Sequence, residues 1–173
     1  MATEKEIRHY RRRLAALEEE RKSWEGHWRK LAACFRPRQA RFLNAGDKTN
    51  KGNLVNEFWD GIGIEAVDTL AGGMHTGLTS PARPWFALTL QDENLARMEN
   101  VKLWLHYVYE KMANVFSQSN FYSRVHMLYE ELIVFGTGDM IVEEDDETVI
   151  RCRTLTAGEY CLDVNASGRV DTM

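Results

Sequence analysis

From Ile7 onward, apolar side chains recur at alternating intervals of three and four: Ile7, Tyr10, Leu14 and Leu17, then Trp24, Trp28, Leu31 and Phe35, with Arg21 in the one seat where a hydrophobe is missing. A helix turns once per 3.6 residues, so this spacing gathers the side chains into one stripe and predicts a single long amphipathic helix. Pro37 ends it, because the residue before a proline is pushed out of the helical region. Trp24 and Trp28 lie one turn apart, and two such side chains are a costly surface to leave wet. With Arg21 they form the candidate partner-facing part of the helix. The same stripe fits equally a helix that packs on its own core.

The period vanishes over residues 42–53, FLNAGDKTNKGN, which read as a loop. It returns in Val55, Phe58, Trp59, Ile62, Ala66, Leu70 and Met74, predicting a second helix. Gly61, Gly63, Gly72, Gly73 and Gly77 each cost a helix about 1 kcal/mol against alanine, so their number predicts backbones in close approach. Gly73 and Gly77 would present a smooth face four residues long. The stretch AGGMHTGLTSPARPWF (71–86) then halts the helix. Gly77 suits a left-handed cap, Pro81 cannot sit in a helix interior, and Arg83 before Pro84 must be extended. Gly72, Gly73, Gly77, Pro81, Arg83, Pro84 and Trp85 are the candidate structural corner.

Beyond the corner, Trp85, Ala87 and Thr89 alternate with Phe86, Leu88 and Leu90, the pattern of a short strand with one apolar face. Asp92 and Glu93 signal a helix start, and a stripe from Leu95 through Met98, Trp104, Leu105 and Met112 to Phe116 predicts one third helix. Ser119 or Asn120 caps a fourth, which runs through Tyr122, Val125, Tyr129 and Leu132 to a stop at Gly136 and Gly138. The tail changes class: Met140–Val142 and Val149–Arg153 flank an acidic run, and Tyr160–Val164 and Arg169–Thr172 flank the turn at Asn165–Gly168. Two hairpins are expected. The organisation is thus a basic amphipathic helix over 1–41, a loop at 42–53, a helical body over 54–136 with the corner and strand at 72–90, and a β-hairpin region over 137–173. Helices first and strands last make an α+β chain, mainly helical in its N-terminal two-thirds. Val170-Asp171-Thr172-Met173 ends with no turn or cap, so the chain is expected to be the N-terminal piece of something longer.

Composition and charge sharpen this picture. A chain of 173 residues, 44% hydrophobic, is ordinary globular usage. No apolar run approaches the ~20 residues of a membrane span, and MATEKEIRHYRRR has no apolar core of a secretory signal, so a cytosolic protein is expected. The net charge of −4 conceals a polarity: residues 1–41 hold 12 Lys and Arg against 6 Asp and Glu, for +6, and the remainder holds 10 against 20, for −10. A basic head can meet phosphate or an acidic protein, although the ordinary reading is a solvated charged helix.

Catalytic chemistry lacks its local geometry here. Ser80 has no GxSxG around it, His75 has no HExxH, and neither GxxxxGK[ST] nor GxGxxG occurs, so no catalytic or cofactor-binding residue is assigned and no cofactor is expected. Cys34, Cys152 and Cys161 form no CxxC pair and read as buried free thiols, with no metal site. Glu143-Glu144-Asp145-Asp146-Glu147 lacks the alternating ligands of a calcium loop and reads as a solvated hairpin tip.

The blocks SWEGHWRKLAACFRPRQARFL (23–43), TLAGGMHTGLTSPARPWFALTL (69–90), VFSQSNFYSRVHMLYEELIVFGTGDMIVEED (115–145) and VIRCRTLTAGEYCLDVNASGRVDT (149–172), in this order, resemble the head-to-tail connector, or portal, proteins of short-tailed bacteriophages. The resemblance covers nearly the whole chain and only the N-terminal part of that family. It implies a structural subunit, not an enzyme, in a homo-oligomeric ring, usually of twelve copies in the full-length protein, at one vertex of the capsid. A separate terminase would drive double-stranded DNA through the channel without sequence-specific binding by the ring. Capsid or scaffold proteins and tail or adaptor proteins would be the other partners. The site would be the virion, with the host cytoplasm during assembly. The region would contribute to the wing-like body, and the corner at Gly72–Trp85 would join its helices to its β-part. A body of charge −10 would let packaging DNA slide past. Two other classes fit the same residues. A free-standing helical protein–protein interaction adaptor would show the same stripe, and a nucleic-acid module would use Arg8, Arg11, Arg12, Arg13, Arg21 and Arg29 but has no stacking platform beside them.

Overall fold

The computed structural model describes residues 4–37 and 61–172. The elements run α1 (Glu4–Phe35), α2 (Ile62–Leu78), α3 (Glu93–Arg97), α4 (Glu99–Gln118), α5 (Phe121–Phe135), β1 (Asp139–Asp145), β2 (Val149–Leu155), β3 (Asp163–Val164) and β4 (Val170–Thr172). The α+β class holds, with helices followed by two hairpins, β1–β2 and β3–β4. The expected loop at 42–53 and the first part of the second helix, Val55 to Trp59, lie outside the described residues.

The chain divides into two compact units. Unit 1 comprises Met1–Val67, Glu131–Thr137 and Leu155–Met173; unit 2 comprises Asp68–Glu130 and Gly138–Thr154. In unit 1 the C-terminal half of α1 lies on a core of Ala32, Val67, Val134, Phe135 and Ala157, with Trp28, Leu31 and Phe35 packed against it. The first half of the stripe stays in water, with Tyr10 at 65% and Leu14 at 51% exposure. The stripe therefore has two fates. Ion pairs along the helix, Arg8 with Glu4 and Arg29 with Glu25, add local support of a few tenths of a kcal/mol each. Gly63 is the one glycine of the predicted set that meets close approach: an added Cβ would lie 3.0 Å from the Phe35 ring and 3.3 Å from the Cys34 carbonyl oxygen.

In unit 2 the buried residues include Ala71, Thr79, Ser80, Val125, Tyr129 and Cys152. Asp92 caps α3 as expected, its carboxylate accepting from the backbone N–H groups of Asn94 and Leu95. Ser119 Oγ accepts from the Phe121 N–H at the start of α5, and Gly136, at φ +73, closes the end of that helix. The β3–β4 hairpin of unit 1 turns through Asn165–Gly168 with Gly168 at φ +76, as its sequence predicts.

Four expectations are corrected. The third helix is two: Met98 is extended at φ −67, ψ 131, and separates α3 from α4. Met98 is a good helix former, but α3 spans only five residues. A helix that short cannot hold its own register, so packing decides where the chain breaks. Second, residues 84–90 take no regular secondary structure and join neither sheet. A strand needs a ladder partner, and among the described residues none lies beside it; the segment is held instead by aromatic packing. Third, Gly77 lies within α2 and not at a left-handed cap, because the helix continues to Leu78 and stops before Pro81. Fourth, an added Cβ at Gly61, Gly72, Gly73 or Gly77 would meet no described atom within 4 Å, so close approach does not explain them.

Candidate functional site

The corner is built by side chains that answer the polar groups left at the end of α2. Ser80 Oγ accepts from the Ala82 N–H, and the Arg83 guanidinium donates to the Thr76 carbonyl at 3.0 Å, paying one of the helix's orphan acceptors. Pro81 and Pro84 hold the turn between them. Trp85 then anchors the outgoing chain: its ring stacks on Phe121 at 6.1 Å with the planes 9° apart, and its indole Nε1–H donates to the Tyr122 hydroxyl at 3.4 Å. Phe86 packs on Tyr109 and Phe116. Of the candidate corner residues, Pro81, Arg83, Pro84 and Trp85 are thus brought together around one turn, whereas Gly72, Gly73 and Gly77 lie along α2 with open space beside them.

A ring cluster that the sequence reading missed sits beside the corner. His75 contacts Tyr122, His126 and Tyr129, with centroids 6.0, 5.8 and 6.4 Å away. Its Nδ1 lies 3.3 Å from Thr79 Oγ1, which accepts from the Tyr129 hydroxyl at 3.1 Å. Burial first, and the neighbouring His126 second, push His75 below its ordinary value. The signal was available: 75 and 79, and 122, 126 and 129, are one helical turn apart. Nothing in the sequence, however, says which two faces meet.

Arg21, Trp24 and Trp28 line a second site, a groove of about 260 Å³ in unit 1 shared with Leu17, Phe135 and Tyr160. Trp28 packs on the core and Trp24 is 56% exposed. The Arg21 guanidinium donates to the Tyr160 carbonyl at 3.4 Å and to Cys161 Sγ at 3.5 Å, with Nε 3.7 Å from Glu25. Arg21 is therefore accommodated within its own chain by a carbonyl, a thiol and a carboxylate one turn along.

The remaining candidates resolve into structural roles. Asp145 accepts from the Thr148 N–H and hydroxyl and pairs with Arg151, and the Thr148 hydrogen bonds hold its carboxyl below the usual range. The acidic run is not only a tip: Glu143, Glu144 and Asp145 belong to β1. All three cysteines are free, but only Cys152 is buried, and burial pushes its thiol up. Among the described residues no three His, Cys, Asp or Glu side chains are placed to hold a metal.

Residues 8–173 match the family model described as bacteriophage head to tail connecting protein. The chain is 41% identical over 165 residues to the probable portal protein of Bordetella phage BPP-1, and 41% identical over 161 residues to the portal protein of Salmonella phage epsilon15. Each alignment takes in 93% of this chain and 29% of the relative, so the chain spans less than a third of the length of the curated relatives it matches.

Proposed function

The chain belongs to the family of bacteriophage head to tail connecting proteins, and from that premise we propose that it serves as a structural part of a phage portal, in the joint between head and tail at one capsid vertex. The observation that carries this reading is the match over residues 8–173, which takes in α1, the corner and both hairpins together and not a single motif.

The physical features agree with a structural role. Trp85 and its aromatic neighbours make the corner a fixed joint, and Ile7, Tyr10, Leu14, Leu103, Trp104 and Tyr107 leave apolar surface open for other chains. In this reading the full-length protein forms a closed ring, expected to be a dodecamer, through which double-stranded DNA passes without sequence-specific binding. Terminase, capsid or scaffold, and tail or adaptor proteins are its partners, and it works in the virion after assembly in the host cytoplasm. Among the described residues no helix is long and apolar enough to cross a membrane. No nucleotide hydrolysis is assigned to it.

The test is electron microscopy of the purified full-length protein, with complementation of a phage that lacks its portal gene. Closed rings with a central channel and restored DNA packaging are expected. A protein that stays monomeric and does not restore packaging would favour the free-standing adaptor.

A further inference from the structure

The segment 84–90 has the side-chain alternation of a strand and, among the described residues, no strand beside it. Its side chains alternate, with Phe86, Leu88 and Leu90 half-buried and Ala87 and Thr89 exposed. Among the described residues its backbone groups make no hydrogen bond except that the Leu90 carbonyl accepts from Thr89 Oγ1 at 3.4 Å. Beside it runs a groove of about 420 Å³ whose lining includes Phe86, Leu88, Ala96, Lys102, Leu105 and Tyr109. Lys102 is exposed, and no described carboxylate lies within ion-pair distance of it. A segment with alternating burial and unpaired backbone groups is a template for another strand.

The same unit carries a second open edge of opposite character. The β1–β2 hairpin has two strands, so each has one outer edge. The β2 edge is covered: Asn120 Nδ2 donates to the Cys152 carbonyl, and the Cys152 N–H donates to Asn120 Oδ1, both at 2.8 Å. No described group outside the hairpin bonds to the backbone of β1. Its exposed residues are Val142, Glu143 and Glu144, an apolar position followed by two carboxylates.

We propose that residues 84–90 of one copy pair backbone to backbone with the outer edge of β1 in a second copy, joining neighbouring copies through a shared sheet. The two segments match in two independent ways: among the described residues both leave backbone groups unpaired, and the exposed cations Lys102 and Arg83 on one side complement the exposed carboxylates Glu143 and Glu144 on the other. Because the two surfaces differ, the contact is head-to-tail and propagates around a ring or along a filament instead of closing as a two-fold dimer. The proposal rests on the reading of the chain as part of an assembling portal subunit and names one contact of that assembly.

Hydrogen–deuterium exchange on the full-length protein, compared between dissociated and assembled forms, tests it. Amides of 85–90 and of β1 are expected to exchange freely in the dissociated form and at least about tenfold more slowly after assembly. Lys102→Glu, and Glu143→Lys with Glu144→Lys, are each expected to weaken assembly by about tenfold, and the three substitutions combined should regain it. Assembly with unchanged exchange in both segments would overturn the proposal while leaving the portal reading intact. Protection of 84–90 without β1 would overturn the choice of occupant, and protection already present in the dissociated form would place the pairing within one chain. No assembly at all would overturn both readings.

Discussion

Arg36, the residue after α1, donates to Glu131 of α5 at 3.2 Å, and the carboxylate it meets is only 2% exposed. The other carboxylate oxygen accepts from the Ala157 N–H at 3.3 Å, so one buried side chain ties three segments of unit 1 together. A buried charge is tolerable only while its partners remain. Glu131→Ala, which removes a buried carboxylate from Arg36 and the acceptor of the Ala157 N–H, is expected to cost about 3–5 kcal/mol. Arg8→Ala, which breaks an exposed pair with Glu4, should stay within about 0.5 kcal/mol. Urea unfolding of the two variants measures the difference, and equal costs would mean that Glu131 is solvated.

Asn120 was expected only as a helix cap, yet its side chain clips both backbone groups of Cys152. Asn120→Ala leaves a buried donor and acceptor unpaired and is expected to cost about 1–3 kcal/mol. Asn120→Asp keeps the acceptor and loses the donor. It also sets a carboxylate oxygen against the Cys152 carbonyl, so its thermal midpoint should fall below that of the wild type; a midpoint at or above the wild type would show that the Cys152 carbonyl needs no donor.

His75 gives the protein a pH dependence whose sign follows from its environment. Its folded value lies below the ordinary 6.5, with burial as the main cause and His126 beside it, so the folded state binds fewer protons than the unfolded state below that pH. Stability should therefore fall as pH drops from about 6.5 towards the depressed folded value. Asp145 and Asp163 are shifted down from 3.8, so their contributions are lost only in more acidic solution. Unfolding midpoints between pH 7.5 and 5.5 should decline in the wild type and flatten in His75→Gln; parallel slopes would remove His75 from the account.

Periodicity made the helices legible because burial of one face imposes it. The turn at Asn165–Gly168 and the stop at Gly136 were equally readable, since left-handed backbone selects glycine. What the sequence could not carry was partnership. Trp85–Leu90 has the alternation of a strand, but alternation does not say whether a second strand stands beside it. Asn120, His75 and Glu131 look like surface or capping residues until the fold places Cys152, His126 and Arg36 against them. The corner was legible through its prolines, whereas its glycines were misread, because a count of glycines does not reveal which of them something touches.

Two glycines of α2 differ in what surrounds them. Gly73→Ala adds a methyl group where no described atom lies within 4 Å, so it should stabilise the helix by about 1 kcal/mol. Gly63→Ala pushes its Cβ to 3.0 Å from the Phe35 ring, which is itself packed on the core, and overpacking of about 1–3 kcal/mol should outweigh the gain. Thermal unfolding should move in opposite directions for the pair. A destabilised Gly73→Ala would mean that another element presses on that face.

Arg21 interrupts the apolar stripe, and its surroundings decide what a substitution does. A buried guanidinium calls for an acidic partner; the groups that meet it from outside α1 are the Tyr160 carbonyl and Cys161 Sγ, at 3.4 and 3.5 Å, and the carboxylate is Glu25, four residues along α1. These contacts are long, and the buried Nε has no hydrogen-bond partner among the described residues, so the guanidinium contributes little to stability. Arg21→Leu should then change the unfolding free energy by less than about 1 kcal/mol while completing the apolar wall that Trp24 and Trp28 begin. Arg21→Glu places a carboxylate against the Tyr160 carbonyl and one turn from Glu25, two repulsive neighbours, and should be the less stable of the two variants. If Arg21 also faces a partner subunit, Arg21→Leu should broaden association and Arg21→Glu should weaken it, as happens when a polar seam residue is lost or reversed. Sedimentation of the full-length protein beside unfolding of the same three forms separates the two roles. Identical melting and identical assembly in all three would leave Arg21 as a solvated residue of α1.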